Sequence, residues 1–131
     1  MKTKTIKQSA SFEAKPGKIF ELLMDSKKHS AFTGDKASIS RKTGGNFSAY
    51  GGYCSGKNIE INPNKKIVQS WRANDWPAGH FSKATFTLAK SITGTKLSFT
   101  QSGVPEKNFD SIKKGWIDFY WSPMKNFLKK P

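Results

Sequence analysis

The chain has 131 residues, the size of a single domain, and this length can bury a hydrophobic core without disulfides or metals. Hydrophobic residues make up 35% of the chain, with ten Phe, four Trp and three Tyr, so the composition excludes a disordered protein. The 23 Lys and Arg residues against nine acids give a net charge of +14, which favours acidic partners, although lysines spread along a chain also occur on a well-solvated surface.

Two further classes are excluded by the pattern of the chain. No apolar run approaches the roughly 18 residues of a membrane-spanning helix, and the basic N-terminus lacks the apolar segment of a signal peptide. The single cysteine, Cys54, excludes an internal disulfide framework and fits a reducing compartment. We therefore expect one domain over residues 1–131, in a cytoplasmic, monomeric protein that does not insert into a membrane.

The first third of the chain predicts a strand and two short helices. Residues 3–13 alternate weakly, as in a strand. Pro16 suits the first position of a helix, because a missing N–H costs nothing there. Asp25 or Ser26 can cap a second helix, and Gly34 can end it in the left-handed conformation.

From residue 37 to residue 102, short runs alternate with Gly, Asn and Pro, which is typical of a meander of about six strands joined by hairpins. Polar and apolar side chains alternate within the runs, as they do in an antiparallel sheet that is covered on one side. The side chains predicted to face the core are Ile59, Ile61, Ala84, Phe86, Leu88, Leu97, Phe99 and Gln101.

Residues 107–128 predict one long amphipathic helix. Its apolar face is predicted to carry Phe109, Ile112, Trp116, Phe119, Tyr120, Met124, Phe127 and Leu128. Gly115 allows another chain segment to come close, and Pro123 should disturb the helix near Tyr120, because proline cannot donate a backbone hydrogen bond. The helix either fills the core or covers a cavity.

These elements together predict an α+β fold, in which a curved antiparallel sheet of six to seven strands wraps the C-terminal helix. Aromatic residues alternate onto the covered face of this sheet, so we expect no nucleic-acid partner.

Catalytic chemistry is not indicated. We expect Cys54 to be a small buried hydrophobic residue, and the isolated His29 and His80 do not form a metal-binding motif. No pair of carboxylates suggests an acid and a base. We expect a non-enzyme without metal or cofactor.

The segment from Trp71 to Pro77 places a cation between two indoles. Arg72 can stack on an indole or pair with Asp75. One interpretation is that Trp71 belongs to the core and that Arg72 and Asp75 order a hairpin. The other is that Arg72, Asp75 and Trp76 form a cavity mouth or contact a partner.

Three stretches together carry a resemblance to a known family: residues 67–72 with 76–77, residues 94–97 with 101–105, and residues 115–116 with 120–125. Residues 29–34 fit the same family. Over most of its length the chain resembles the C-terminal domain of the activator of the heat-shock-protein-90 ATPase and its single-domain microbial relatives, in the START-like (SRPBCC) helix-grip superfamily. The resemblance implies a cavity between sheet and helix, which holds a hydrophobic ligand in many superfamily members. It also implies possible contact with a chaperone, as in the two-domain co-chaperone.

Two functional hypotheses follow. The first is a non-catalytic protein that binds a small hydrophobic or aromatic ligand, with its affinity coming from buried apolar area. The candidate cavity residues are Ile59, Trp71, Phe86, Leu88, Phe99, Trp116 and Tyr120. The alternative is a co-chaperone-like module that docks on a chaperone or another acidic protein surface.

Overall fold

The computed structural model describes residues 1–129. The strands are β1 (Thr3–Phe12), β2 (Ser38–Ile39), β3 (Asn46–Ala49), β4 (Cys54–Asn62), β5 (Lys66–Ala73), β6 (Ser82–Ser91) and β7 (Gly94–Pro105). The α-helices are α1 (Pro16–Met24), α2 (Ser26–Thr33), α3 (Phe109–Trp116) and α4 (Ser122–Lys129). A π-helical turn, Ile117–Trp121, joins α3 to α4, and short 3₁₀ turns lie at Tyr50–Gly52 and Glu106–Asn108.

The strands form one seven-stranded antiparallel sheet in the order β1-β7-β6-β5-β4-β3-β2. Strands β2 to β7 follow one another as hairpins, which confirms the predicted meander. Strand β1 instead pairs with β7, from Phe12 opposite Thr95 to Thr3 opposite Pro105. The first and last strands are therefore neighbours, and α1 and α2 carry the chain from β1 to the far edge of the sheet. The predicted α+β helix-grip architecture is confirmed.

The two short helices begin and end as predicted. Pro16 occupies the start of α1. The Asp25 side chain accepts a hydrogen bond of 3.0 Å from the backbone N–H of Lys28 at the start of α2. Gly34 ends α2 with φ of 74°, a conformation in which a side chain would be strained.

The face of the sheet that packs on the helices is called the inner face, and its opposite the outer face. The inward alternation predicted for β6 and β7 is confirmed: the buried side chains are Ala84, Phe86, Leu88, Leu97, Phe99 and Gln101. Strand β4 differs, because the register with β5 shifts between Asn58 and Glu60.

This β-bulge makes the prediction for Ile59 wrong. Asn58 points inward and is 1% exposed, whereas Ile59 is 50% exposed. The buried Asn58 amide has its partners: it donates to the Ser40 carbonyl oxygen at 2.7 Å and accepts from the Gln69 amide at 3.0 Å. Hydrogen bonding therefore compensates for the burial of a polar side chain at this position.

The C-terminal helix is irregular near Tyr120, where Pro123 predicted a disturbance. The irregularity is the π-helical turn, whose extra residue rotates the following side chains relative to an ideal α-helix. Trp116 and Trp121, five positions apart, stack with ring centroids 5.6 Å apart. Trp121 is consequently buried, and Phe119 is 57% exposed, so the prediction that Phe119 faces the core is wrong.

Trp116 is the centre of the contact between helix and sheet. Its ring lies 5.6 Å from Trp71 on β5, 5.7 Å from Phe86 on β6 and 4.4 Å from Phe99 on β7, measured between centroids. Aromatic pairs at these separations add favourable edge and face contacts to the burial of area. No helix within residues 1–129 is long and apolar enough to cross a membrane.

Candidate functional site

A pocket of about 400 Å³ opens beside the C-terminal helix, next to the beginning of β4 and the end of β5. We call it the side pocket. It is lined by Tyr50, Tyr53, Cys54, Trp71, Ser111, Ile112, Gly115, Trp116, Phe119 and Tyr120. This set is mainly aromatic and aliphatic, the usual character of a small-molecule site.

The C-terminal helix forms one wall of the side pocket, and Gly115 leaves unfilled space in this wall. Ser111, Gly115 and Phe119 follow one another at intervals of four residues and therefore share one side of the helix. A Cβ atom on Gly115 would have one neighbour within 4 Å among the described atoms, the Phe119 Cδ2 at 3.8 Å. The glycine thus leaves open space that a larger side chain would fill.

The opposite wall is a turn in an unusual conformation. Tyr50 has φ of 53°, in the left-handed region, and Gly51 and Gly52 follow with φ of 65° and 97°. The Tyr50 hydroxyl donates a hydrogen bond to the Phe119 carbonyl oxygen. The Tyr50 ring also makes edge contacts with Phe119 and Tyr120, at centroid distances of 5.7 and 5.8 Å. Burial raises the pKa of Tyr50, so its hydroxyl stays protonated and remains a donor.

The floor of the side pocket is formed by Cys54 and Tyr120, two buried side chains whose polar groups remain neutral. Burial raises the pKa of the Cys54 thiol to about 12. The Tyr120 hydroxyl lies 3.0 Å from the Nε2 atom of His29. The other ring nitrogen of His29 faces the Leu23 carbonyl oxygen at 3.3 Å, which can only accept, so Nδ1 carries the proton and Nε2 accepts from Tyr120. Burial lowers the pKa of His29 to about 4.

A chain of buried hydrogen bonds fixes the Trp116 indole over the sheet. The indole N–H donates to the Gln101 side-chain oxygen at 2.7 Å, and the Gln101 amide donates to the Ser82 hydroxyl at 2.9 Å. Ser82 in turn donates to the Trp71 carbonyl oxygen at 2.8 Å. Both Trp71 and Trp116 therefore belong to a network in which each polar group has a partner.

The family model described as "Activator of Hsp90 ATPase homolog 1-like protein" matches residues 13–129. The chain belongs to this family. It is 34% identical over 117 residues to an activator of 90 kDa heat shock protein ATPase homolog from Dictyostelium discoideum, covering 87% of this chain and 30% of that protein. It is 29% identical over 121 residues to the human activator of 90 kDa heat shock protein ATPase homolog 1, covering 92% and 35% respectively.

The chain thus spans about a third of the length of these curated relatives. A crystal structure of an HSP90 activator from Plasmodium falciparum has the same fold over its whole length. It superimposes with a TM-score of 0.84 at 25% identity, covering 98% of this chain and 97% of that one. The family resemblance that the sequence suggested is therefore confirmed, and the family takes its name from an activator.

In this family member the space directly between sheet and helix is filled by side chains. The void that remains there measures about 20 Å³, room for about one water molecule. Of the predicted cavity residues, Trp71, Trp116 and Tyr120 line the side pocket, and Phe86 lines this small void. Leu88 and Phe99 are buried in the core and line neither space. The bulge places Ile59 on the outer face.

Of the three predicted mouth residues, Asp75 lies near the edge of the side pocket, beside Tyr53, and Arg72 and Trp76 belong to the neighbouring hairpin. Trp76 is 4% exposed and packs edge-on against Trp71 at 5.4 Å, so its placement at a mouth is wrong. The Arg72 Nη2 atom donates to the Trp76 carbonyl oxygen at 2.7 Å. Arg72 therefore orders the hairpin between β5 and β6 by binding a backbone carbonyl group. Asp75 is exposed on the same hairpin. None of these three residues lines the side pocket.

The sequence missed much of the side pocket. Tyr50 and Tyr53 lie in a turn, which has no periodicity that assigns a face. Gly115 predicts a place where another segment comes close, and the spacing of Ser111, Gly115 and Phe119 is the sequence signal that could have located one wall. Within residues 1–129, no three His, Cys, Asp or Glu side chains form a cluster that could hold a metal ion.

Proposed function

We propose that this protein is a non-catalytic binding protein that holds a small hydrophobic or aromatic molecule in the side pocket. The single observation that carries the proposal is the pocket itself: about 400 Å³, open to solvent and lined chiefly by aromatic and aliphatic side chains. This volume is within the range of small-molecule sites. Each buried methylene group of a ligand would contribute about 0.8 kcal/mol to binding.

Gly115 allows the pocket to be filled without damaging the core. Gly115→Ala and Gly115→Leu would project progressively larger side chains into the pocket, where the nearest atom to a Cβ is 3.8 Å away. Both changes replace a helical glycine, and Ala is about 1 kcal/mol better than Gly in a helix interior. We expect the two variants to be at least as stable as the wild type while losing ligand binding in the order Gly, Ala, Leu.

The measurement is an amide NMR titration of each variant with a panel of fatty acids, sterols and aromatic compounds. Lys125→Leu, an exposed change on the same helix away from the pocket, is the matched control and should bind like the wild type. Shift changes clustered at Trp116, Tyr120 and β5 that disappear in Gly115→Leu support the proposal. Binding that survives in Gly115→Leu contradicts it.

A second candidate function is docking on a chaperone of the Hsp90 type. Two observations favour it: membership of a family named for Hsp90 activators, and the charge of the outer face of the sheet. Within the described strands Glu60 is the single acid. The lysines that alternate onto the outer face are Lys7, Lys57, Lys66, Lys83 and Lys96. Complementary charge would speed the encounter with an acidic surface.

This candidate is tested with a purified Hsp90 chaperone. The triple variant Lys7→Glu, Lys83→Glu, Lys96→Glu should bind at least tenfold more weakly than the wild type, and wild-type binding should fall steeply with added salt. The control carries the same change in net charge on the helices. It combines Lys18→Glu, Lys27→Glu and Lys125→Glu. Equal losses in both triples would assign the effect to net charge and contradict docking through the outer face.

A further inference from the structure

The side pocket is an uncharged region of a strongly basic protein. None of its lining residues, all within the described part of the chain, is Lys, Arg, Asp or Glu. The rim of the pocket is formed by the partly exposed lining residues, which are Tyr50, Tyr53, Ser111, Gly115 and Phe119. The charged residues that adjoin these in space or in sequence are four acids and two lysines, Asp35, Asp75, Asp110, Asp118, Lys36 and Lys114, whereas Lys and Arg outnumber acids by 23 to nine in the whole chain. This local excess of acids opposes the net charge of the protein.

Asp35 lies beside the turn that forms one wall. Its Oδ1 atom is 3.3 Å from the position that a Cβ on Gly51 would take. The same oxygen accepts a hydrogen bond of 2.8 Å from the backbone N–H of Lys36, which fixes the carboxylate. The pKa of Tyr50 is raised mainly by burial and next by the nearby Cys54. The negative charge of Asp35 is a third cause, as expected for an acid close to a phenol.

Asp75 lies beside the other tyrosine of the rim. The neighbouring Asn74 donates its backbone N–H to the Tyr53 carbonyl oxygen at 2.7 Å, which joins the two turns. The pKa of Tyr53 is raised mainly by the burial of its own ring, and next by the negative charge of the exposed Asp75. Tyr53 itself is 40% exposed, at the boundary between pocket and solvent.

On the helix, Asp110 and Asp118 flank Lys114. Asp110, Lys114 and Asp118 are spaced by four residues and each immediately precedes a residue that lines the pocket. The Lys114 Nζ atom is 4.0 Å from the Asp118 carboxylate. One lysine between two acids leaves this ridge with one net negative charge.

Six of the ten lining residues are aromatic. They are Tyr50, Tyr53, Trp71, Trp116, Phe119 and Tyr120. The faces of aromatic rings carry partial negative charge, so they attract cations, and sites lined by several aromatic rings can hold quaternary ammonium groups. An anionic amphiphile would find no cationic side chain among the lining residues and would lose hydration of its carboxylate without compensation.

We propose that the side pocket selects organic cations, in which an ammonium group is attached to an apolar or aromatic body, over neutral and anionic molecules of the same shape. This inference rests on the proposed function, because it names the ligand class of the same pocket. The apolar body would occupy the space beside Gly115, and the ammonium group would lie among the rings below the acidic rim.

Three probes of matched shape test the charge preference. They are phenyltrimethylammonium, the isosteric neutral tert-butylbenzene, and benzenesulfonate. We expect the cation to bind about tenfold more tightly than the neutral probe, since cation–π contacts in a desolvated site favour charge by this amount. The anion should bind most weakly. Affinities are measured by amide NMR titration at fixed ionic strength, with the Gly115→Leu variant as the blocked pocket.

The acids of the rim are tested with a matched pair of double variants. Asp35→Asn with Asp75→Asn should reduce the preference for the cation about threefold, because two nearby negative charges are removed. Asn at position 35 can still accept the hydrogen bond from Lys36. Glu13→Gln with Glu60→Gln removes the same charge at exposed positions away from the rim and should leave the preference unchanged.

The outcomes separate the two proposals. If the neutral probe binds as tightly as the cation, and Gly115→Leu blocks both, the charge preference is wrong and the hydrophobic pocket stands. An equal effect of the two double variants would also overturn the role of the rim. If none of the three probes binds, both the ligand class and the binding function proposed for the side pocket are contradicted.

Discussion

The hydroxyl of Tyr50 donates to the carbonyl oxygen of Phe119, which is the carbonyl that Pro123 leaves without its usual helical donor. In a regular helix the N–H of residue 123 would serve the carbonyl of residue 119, four positions earlier. Proline has no N–H, so a side chain from the turn before β4 takes this place. The bond joins the two walls of the side pocket.

We predict that Tyr50→Phe lowers the free energy of unfolding by about 1 kcal/mol, the usual net value of one hydrogen bond. Pro123→Ala restores a backbone donor near the Phe119 carbonyl. In that background Tyr50→Phe should cost less than half as much, because the carbonyl keeps a partner. Urea unfolding of the four proteins in this double-mutant cycle gives the coupling between the two positions.

The control for this cycle is Tyr53→Phe, which removes a hydroxyl from the other tyrosine of the rim and should change stability by less than about 0.5 kcal/mol. If Tyr50→Phe costs the same with and without Pro123, the hydroxyl does not substitute for the missing donor.

A second prediction concerns the buried chain below Trp116. Gln101→Leu keeps most of the side-chain volume but removes the acceptor of the Trp116 indole and the donor to Ser82. Each buried group left without a partner costs about 1–3 kcal/mol, so we expect a loss of about 2–4 kcal/mol in chemical denaturation. Thr100→Leu, on the outer face of the same strand, should have little effect. Equal losses in both variants would count against the hydrogen-bond network.

Acid sensitivity follows from His29. Its pKa is about 4 in the folded protein and 6.5 in the unfolded chain, so the unfolded state binds the proton more tightly. Stability is therefore unaffected by this group above pH 6.5 and falls as the pH decreases from 6.5 to about 4. The loss amounts to about 3 kcal/mol.

The measurement compares unfolding of the wild type and His29→Gln in urea at pH 7 and pH 4. Carboxylates titrate in both proteins, so the difference between their pH dependences isolates His29. We expect the wild type to lose about 3 kcal/mol more than the variant over this interval. Parallel curves would mean that the folded protein accommodates the imidazolium.

Cys54 provides a test of the pocket floor. A thiol whose pKa is raised from 9.0 to about 12 has a thiolate fraction about a thousandfold lower near neutral pH, and the thiolate is the reactive form. Alkylation by iodoacetamide should therefore be slow in the native protein and rapid in urea. Fast alkylation without denaturant would show that the pocket floor is more open and better hydrated than the fold indicates.

The local pattern of the chain predicted its regular elements well. Alternation assigned the inner faces of β6 and β7, and Asp25 and Gly34 marked the two ends of α2. These features depend on residues close together in sequence, such as a cap that bonds to a backbone N–H three positions away. The prediction for Ile59 was wrong for a local reason. One extra residue in β4 moves all later side chains of the strand to the opposite face of the sheet, and the sequence of the strand does not indicate the bulge.

The sequence by itself determined the order of strands and helices, the amphipathic C-terminal segment and the family. Tertiary structure decided where the open space lies. The π-helical turn rotates Phe119 outward and Trp121 inward, and Trp116 fills the space beneath the helix where a cavity was expected. The side pocket instead forms beside the helix, from Gly115 and a turn more than 60 residues earlier in the chain. Such a site depends on packing between distant segments, which no local periodicity encodes.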